Sequence, residues 1–215
     1  MKYIIMSGGS QKGFETPRHL TKIAGETLLD RTIRLLQNNG VKDIAVSSDN
    51  EQILKYACEI PGIEIIARAE SEGSWISTAF PIFTNDTPVC YLFGDVVFSP
   101  KAINTIVKTQ TLGIEFFASA PPFDKSNYPK RWAEPFAFKV VDNFQFLRAR
   151  QDVINLWDCY DVFSREPIAW ELWQVIKKTP INIIDYTNYT VINDYTCDID
   201  SPEDIKWWKL HGLSD

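Results

Sequence analysis

A loop near the start of the chain combines glycines with positive charges and could bind a phosphate. An apolar run that ends at Met6 predicts a β-strand. The residues directly after it are Ser7, Gly8, Gly9, Ser10, Gln11, Lys12 and Gly13. Glycines let backbone N–H groups approach a phosphate closely, and Lys12 with Arg18 supplies the positive charge that a polyanion needs. Because the loop fits neither G-x-x-x-x-G-K-[ST] nor G-x-G-x-x-G, it predicts a nucleotide site of another kind.

An aspartate follows a later apolar run. The stretch Val89–Phe93 predicts a buried strand, and Gly94 and Asp95 come directly after it. A carboxylate at the carboxyl end of a central strand faces the ligand crevice of an α/β sheet, where Mg²⁺ would take it together with phosphate oxygens. We therefore expect Asp95 to be a metal ligand, with a simple turn aspartate as the alternative.

A second acidic segment, residues 198–204, reads Asp-Ile-Asp-Ser-Pro-Glu-Asp. Its serine is a good helix N-cap, its proline suits the first helical position, and the last two acids favour the positive end of the helix dipole. This capping role accounts for residues 201–204 but leaves Asp200 unexplained. We expect Asp200 to be the second metal ligand opposite Asp95, with Asp198 as the substitute if the strand register differs by two.

The composition limits the class of protein. A chain of 215 residues, 45% of them hydrophobic, is long enough for one compact domain, residues 1–215. The net charge of -6 argues against a nucleic-acid-binding surface, and no stretch has the apolar length of a membrane span. Since no signal-peptide pattern precedes the first strand, a cytoplasmic location is expected. The four cysteines lack metal-site spacing and are expected to be buried and reduced, and two histidines exclude a histidine metal cluster.

The order of predicted elements shows how the candidate residues could be positioned. In residues 1–120, apolar runs of strand type alternate with stripes of helical periodicity. The predicted strands are Met1–Met6, Val41–Val46, Ile63–Ala67, Val89–Phe93 and Gly113–Ala120, and the predicted helices are Thr27–Asn39, Asn50–Cys58, Ser74–Phe83 and Lys101–Thr109. With right-handed crossovers, this series gives an α/β fold with a doubly wound, mainly parallel sheet and helices on both faces.

The second half of the chain has a different pattern of predicted elements. Pro121–Arg131 predicts a polar loop, Pro135–Val141 a strand and Asp152–Lys178 a mostly helical, aromatic-rich stretch. We interpret residues 1–120 as a nucleotide-binding half and residues 121–215 as an acceptor-binding half that includes the C-terminal metal segment. The residues expected to line an acceptor pocket that hydrogen-bonds hydroxyl groups are Trp132, Glu134, Tyr189 and Asn193.

These residues resemble the nucleotidyltransferase family of sugar-nucleotide pyrophosphorylases and cytidylyltransferases. That family opens with a strand, a glycine-rich loop with a basic residue, Pro-Lys, an L-x-x-I-x-G segment and a helix, and residues 7–31 follow this order. Gly94-Asp95 is similar to the family's metal aspartate, and residues 199–204 are similar to its closing D-T-P-E-D segment. Arg18 stands where the family usually has Lys and Lys12 where it usually has Arg, which keeps the charge and changes the geometry.

The resemblance implies a Rossmann-like fold and Mg²⁺-dependent nucleotidyl transfer. In that reaction a phosphate of the acceptor attacks the α-phosphorus of an NTP, CTP being favoured, and pyrophosphate departs. The resemblance implies that Lys12, assisted by Arg18, stabilises the charge that develops on the phosphates. It also implies that Asp95 and Asp200 bind Mg²⁺. The implied nucleotide-binding set, whose last three members lie where the family reads the base, is Ser7, Gly8, Gly9, Ser10, Arg68, Ser74 and Ser77.

The expected acceptor is a small phosphorylated polyol or sugar, and the expected product is an NDP-activated compound for polysaccharide or related biosynthesis. A homodimer is the oligomeric state that the resemblance suggests. Two other functions stay open. A metal-dependent glycosyltransferase would use an Asp-x-Asp site, a form that Asp198 and Asp200 have at an unusual place in the chain. A non-catalytic nucleotide-binding module would be consistent with Arg18 in place of lysine.

Overall fold

The computed structural model describes residues 1–8, 13–68, 73–83, 87–126, 131–160, 162–181 and 186–211. The strands in these ranges are β1 Lys2–Met6, β2 Lys22–Ile23, β3 Glu26–Thr27, β4 Ile44–Ser48, β5 Ile63–Ala67, β6 Val89–Phe93, β7 Val96–Val97, β8 Ile114–Ser119, β9 Pro135–Val140, β10 Thr190–Ile192 and β11 Cys197–Asp198. The helices are α1 Leu28–Asn38, α2 Glu51–Cys58, α3 Trp75–Thr78, α4 Pro100–Lys108, α5 Asn143–Tyr160, α6 Ala169–Lys177 and α7 Pro202–His211, and a short 3₁₀ turn covers Arg18–Leu20.

Seven strands form the central sheet in the order β10-β8-β9-β6-β1-β4-β5. Strand β1 pairs in parallel with β4 and β6, β4 pairs in parallel with β5, and β8 pairs in parallel with β10. Strand β9 is antiparallel to both of its neighbours. Helices flank this sheet, so the predicted α/β fold with a mainly parallel sheet is confirmed.

The strand order reverses beside β1. The chain runs outward from β1 to β4 and β5, then crosses back to add β6 on the other side of β1. Ligands of open α/β sheets bind in the crevice that such a reversal leaves at the carboxyl ends of the strands. Here that crevice lies between the end of β1, where Ser7 and Gly8 follow, and the end of β6, where Gly94 and Asp95 follow.

Apolar strands form the core and fix this edge. Every residue of β4 and β6 is buried, as are Tyr3–Met6 of β1, as expected for parallel strands covered on both faces. A second, smaller apolar cluster packs the last part of the chain against β2, α1 and β7. Its members are Ile23, Leu28, Val97, Cys197, Ile199, Ile205 and Trp208. Strand β11 is antiparallel to β7 within this cluster, which brings Asp198 and Asp200 back beside Asp95.

Several predicted boundaries were wrong, each for a local reason. The second strand begins at Ile44 rather than Val41, because Ile44–Val46 take the buried register beside Tyr3–Ile5. The predicted helix Ser74–Phe83 is only Trp75–Thr78, consistent with Pro81, which has no N–H to continue a helix.

The predicted helical stretch Asp152–Lys178 is two helices, and α5 begins nine residues earlier, at Asn143. The missed signal is Asp142, whose carboxylate accepts the Gln145 N–H at 2.8 Å. All four cysteines are free, but Cys58 and Cys159 are exposed, so the expectation of burial was wrong for these two. No helix in the described ranges is long and apolar enough to cross a membrane.

Gly94 is required where β1 and β6 end side by side. Its N–H donates to the Met6 carbonyl at 2.9 Å, and a Cβ atom there would lie 2.6 Å from that carbonyl oxygen and 2.5 Å from Ser7 Oγ. We therefore predict that Gly94→Ala lowers the free energy of unfolding by about 2 kcal/mol, the usual cost of overpacking a tight site.

The control for this prediction is Gly113→Ala. A Cβ atom at Gly113 would meet only the end of Gln145, at 3.9 Å. Urea denaturation of the control should show unchanged stability or a gain of up to about 1 kcal/mol. Equal stability of the two variants would contradict the packing described at Gly94.

Candidate functional site

Four strand ends bring polar side chains to one edge of the sheet. Asp49 follows β4, Arg68 follows β5 and Asp95 lies just beyond β6, while Gly8 lies just beyond β1. A cavity of about 180 Å³ opens between them, with the aromatic rings of Trp75 and Phe93 among its walls. The two rings are stacked, with centroids 5.7 Å apart. This inner cavity therefore offers flat apolar rings next to charged groups.

Arg68 is fixed against the glycine loop. A Cβ atom on Gly8 would lie 1.9 Å from Arg68 Nη2, so only glycine lets the guanidinium lie this close to the backbone. The same nitrogen is 3.4 Å from Asp49 Oδ2, and Arg68 Nη1 donates to the Thr78 carbonyl. Arg68 was predicted to bind the nucleotide, and the structure places it in the inner cavity. Asp49 was not predicted as a site residue, although an acid after a buried strand is the signal that identified Asp95.

Arg18 links the middle of the chain to its end. Arg18 Nη2 is 2.6 Å from Asp95 Oδ2, and Arg18 Nη1 is 3.2 Å from Asp200 Oδ1 and donates to the Ile199 carbonyl at 3.1 Å. The 3₁₀ turn Arg18–Leu20 fixes the backbone from which this side chain extends. Asp95 and Asp200 thus lie near each other, as the sequence suggested, and both contact one guanidinium.

Two more carboxyl groups lie beside this pair. Burial raises the pKa of Glu134 to about 7, and the charges of Asp200 and Asp95 act in the same direction. Burial, followed by the charges of Glu134 and Asp200, also raises the pKa of Asp198 well above its usual range. The Asp198 side chain lines the same two cavities as Glu134 and Asp200. Together with Asp95 and Asp200, Glu134 and Asp198 form a strongly negative centre.

These acids line two further cavities that continue the inner one. A middle cavity of about 280 Å³ shares Trp75, Phe93 and Asp95 with the inner cavity and adds Glu134, Asp198 and Asp200. An outer cavity of about 140 Å³ shares these last three acids and adds Arg131 and Trp132. The three cavities form one groove along the carboxyl edge of the sheet, with the acids at its centre.

The donors at this centre suit a hard divalent cation, although the described residues contain no group of three or more His, Cys, Asp or Glu side chains arranged to hold a metal ion. Carboxylate oxygens are the ligands that Mg²⁺ prefers. Burial is the main cause of the raised pKa of Glu134, and the charges of Asp200 and Asp95 add to it. The site therefore fits Mg²⁺ by its chemistry. The assignment of Asp95 and Asp200 as metal ligands stays a prediction.

Asp204 shapes the segment that carries Asp200. Its Oδ2 accepts the backbone N–H groups of Asp200 at 3.2 Å and Ser201 at 2.8 Å, and the Ser201 hydroxyl at 2.9 Å. Its Oδ1 is paired with Arg131. Ser201 was predicted as an N-cap. The sequence signal for Asp204 is an acid three residues after the N-cap, which can accept the N-cap N–H.

Other predicted nucleotide-binding residues have structural roles. The Ser7 N–H donates to the Ser47 carbonyl at 2.8 Å, and the Ser7 carbonyl accepts the Ser48 hydroxyl at 2.6 Å. Ser77 Oγ donates to the carbonyl of Ser74 at 2.6 Å, so this hydroxyl faces its own helix. Ser74 is buried and lies at the start of α3. The predicted residues Gly9, Ser10 and Lys12 lie outside the described residues.

The predicted acceptor residues divide into two groups. Trp132 and Glu134 line the outer cavity, and Trp132 is half exposed with Lys125 Nζ 4.8 Å from its ring centroid. Tyr189 instead donates its hydroxyl to the Ser119 carbonyl at 2.9 Å and packs edge-on against Trp170. Asn193 is exposed and lines none of the three cavities.

His19 is a site residue that the sequence did not identify. It is 1% exposed, lies next to the Gly94 turn, and its Nδ1 has no hydrogen-bond partner among the described residues. Burial lowers the pKa of His19 to about 3, and the positive charges of Arg18 and Arg68 contribute, against the opposing effect of Asp49. Nothing in the sequence marks this histidine as buried.

Comparisons with known proteins identify the fold. No protein-family model and no curated protein matches the chain. A putative glucose-1-phosphate thymidylyltransferase from Bacillus anthracis, solved in complex with sucrose, superposes with a TM-score of 0.57 over 100% of this chain and 96% of that one, at 12% identity. Rv0371c from Mycobacterium tuberculosis H37Rv superposes with a TM-score of 0.58 over 97% and 96%, at 14% identity. The chain therefore has the Rossmann-like α/β fold of nucleotidyltransferase-like structures.

We predict that His19 makes stability depend on pH below neutrality. Its pKa is about 3 in the folded protein and near 6.5 in the unfolded chain, so only the unfolded chain binds this proton between those values. The contribution of His19 to the free energy of unfolding is then fully present above about pH 6.5 and decreases as the pH falls. At pH 5 the loss from this group is about 2 kcal/mol.

The test compares wild type with His19→Gln by urea denaturation at pH 8 and pH 5. The variant should lose less stability than the wild type over this interval, because glutamine does not titrate. A wild-type loss no larger than that of the variant would show that His19 is not held neutral.

Proposed function

We propose that this protein is a nucleotidyltransferase that joins an NTP to a small phosphorylated acceptor and releases pyrophosphate. One observation supports this most directly: Arg18, Asp95 and Asp200 meet at the strand-order reversal, with an aromatic-walled cavity on one side and a polar cavity on the other. The fold likeness to a protein described as a putative thymidylyltransferase supports the same class.

The inner cavity is proposed to bind the nucleotide. Phe93 and Trp75 offer flat apolar surface for a base, and Arg68 offers donors beside the carboxylate of Asp49. Cytosine presents two acceptors, O2 and N3, next to an amino donor, which matches a guanidinium beside a carboxylate. Uracil, with an N–H at N3 between two carbonyl oxygens, fits the same pair of groups, so the preference for CTP rests on the family resemblance. The residues that line this cavity support residues 1–120 as the nucleotide-binding half.

The chemical step needs orientation and charge neutralisation. An oxygen of the acceptor phosphate attacks the α-phosphorus, the bond from that phosphorus to the bridging oxygen breaks, and pyrophosphate leaves with the electron pair. No general base is required, since a phosphate dianion is already a nucleophile. Lys12 and Arg18 are proposed to neutralise charge on the phosphates, a role that suits the forked donors of Arg18.

The metal is proposed to be Mg²⁺, held by Asp95 and Asp200, with Asp198 as the alternative to Asp200. When bound, such an ion would neutralise phosphate charge and help align the reacting groups. The chain itself positions these acids: the Asp95 carbonyl accepts the Ile199 N–H at 2.9 Å, and Asp204 holds the turn at Asp200.

The acceptor is proposed to occupy the outer cavity, within residues 121–215. Glu134 is fixed there by two bonds at the end of β8, since its N–H donates to Ser119 Oγ at 2.8 Å and its carbonyl accepts the Ser119 N–H at 2.9 Å. Its carboxylate oxygens can accept hydrogen bonds from the hydroxyl groups of a polyol or sugar phosphate. Trp132 offers the exposed edge of its ring to the same ligand. Tyr189 and Asn193 do not line this cavity.

The decisive experiment incubates the protein with each NTP, Mg²⁺ and a panel of phosphorylated polyols and sugars, followed by pyrophosphate detection and product mass. We predict turnover with at least one pair, CTP being the favoured nucleotide. Release of a nucleoside diphosphate from a sugar nucleotide would instead indicate a glycosyltransferase. Tight nucleotide binding without turnover would indicate a non-catalytic module.

We predict that Asp95→Asn and Asp200→Asn each lower this turnover by about 100-fold or more, because each removes a charge at the reacting centre. Glu203→Gln is the matched control on the same segment, since Glu203 is 73% exposed and pairs with Lys206 at the surface. The control should stay within about twofold of wild type. Full activity in both aspartate variants would refute the site assignment.

A further inference from the structure

Arg18 occupies the position between the two carboxylates that the proposed function assigns to a metal. Its Nη2 contacts Asp95 at 2.6 Å and its Nη1 contacts Asp200 at 3.2 Å, with a third bond to the Ile199 carbonyl at 3.1 Å. Only 16% of the Arg18 side chain is exposed. One guanidinium therefore uses oxygens of both acids at once.

The backbone of Arg18 has little freedom to withdraw. Leu20 donates to the Pro17 carbonyl at 2.8 Å and Thr21 donates to the Arg18 carbonyl at 3.0 Å, which closes the 3₁₀ turn. His19 anchors the same turn because it is buried beside Gly94. Any movement of the charge must therefore occur by rotation of the Arg18 side chain.

Asp95 and Asp200 cannot bind the guanidinium and a divalent cation through the same oxygens. The two positive groups would also repel each other in a partly buried setting, where solvent screening is weak. A polyphosphate, by contrast, attracts a guanidinium through two parallel hydrogen bonds and carries more charge than one carboxylate. Arg18 thus has two alternative partners, the carboxylate pair and an anionic ligand.

We propose that Arg18 is a resident counter-ion that excludes a divalent cation from Asp95 and Asp200 until an anionic ligand draws it away. This inference rests on the proposed function, because it takes these two acids as metal ligands. Metal and nucleotide binding are then positively coupled, since a bound metal frees Arg18 for the nucleotide and a bound nucleotide frees the two carboxylates for the metal, and such coupling is reciprocal.

The test measures Mn²⁺ binding to the protein without nucleotide, from the electron paramagnetic resonance signal of the free ion. Arg18→Gln is expected to bind Mn²⁺ at least about tenfold more tightly than wild type, within the usual range of coupling between two groups. Arg18→Lys keeps the charge and is expected to bind more weakly than Arg18→Gln.

Arg131→Gln is the matched control for general electrostatics. Arg131 also lies in the groove and acts on Glu134, but it forms its ion pair with Asp204, outside the Asp95–Asp200 pair. This variant should change Mn²⁺ affinity by no more than about threefold. An effect as large as that of Arg18→Gln would attribute the gain to net charge and overturn the counter-ion role.

A second measurement uses the wild-type protein, so the inference can be tested even if Arg18→Gln does not fold. Stepwise addition of inorganic pyrophosphate without metal should shift the Nε–H nuclear magnetic resonance signal of Arg18, assigned by its absence in Arg18→Lys. Unchanged Mn²⁺ affinity in Arg18→Gln, or an Arg18 signal that does not respond to saturating pyrophosphate, would overturn the proposal.

The two proposals fail separately. Pyrophosphate release by wild type with no change in metal affinity in Arg18→Gln would leave the enzyme assignment standing and remove the counter-ion. Tighter metal binding in Arg18→Gln without turnover on any substrate pair would support the counter-ion role and contradict the enzyme assignment.

Discussion

The contact of Arg18 with Asp95 and Asp200 joins three distant parts of the chain at one point. The turn after the glycine loop supplies the cation, the end of β6 supplies one acid, and the segment after β11 supplies the other. Four carboxyl groups share this small region, and burial already raises the pKa values of Glu134 and Asp198. Without a positive group among them, the C-terminal segment would lie against unbalanced negative charge.

The sheet topology explains why this point is also the centre of the groove. Parallel strands end at the same edge of the sheet, so residues that are far apart in sequence lie close together there. The position of the inner cavity then follows from the order of β5, β4, β1 and β6, and the pairing of β11 with β7 adds Asp198 and Asp200 to the middle cavity. This arrangement separates the aromatic-walled inner cavity from the outer cavity, with the charged side chains between them.

Much of this could be predicted from the sequence, because strands buried on both faces and helices with apolar stripes are local patterns. Asp95 was found for the same reason, as an acid after an apolar run. The burial of His19, the pairing of Arg18 with two acids and the role of Asp142 as a helix cap depend on contacts that no local pattern shows. The bond from the Tyr189 hydroxyl to the Ser119 carbonyl could not be predicted either, because an exposed hydroxyl and one bonded to a buried carbonyl look alike in sequence.

The pairing of β11 with β7 has a consequence for biosynthesis. These two strands are about a hundred residues apart in sequence, and the short apolar cluster around Ile199 and Trp208 holds them together. On a ribosome, the central strands and the end of β6 emerge long before Asp198 and Asp200. The acidic centre therefore cannot be complete until the segment that contains β10 and β11 has been synthesised.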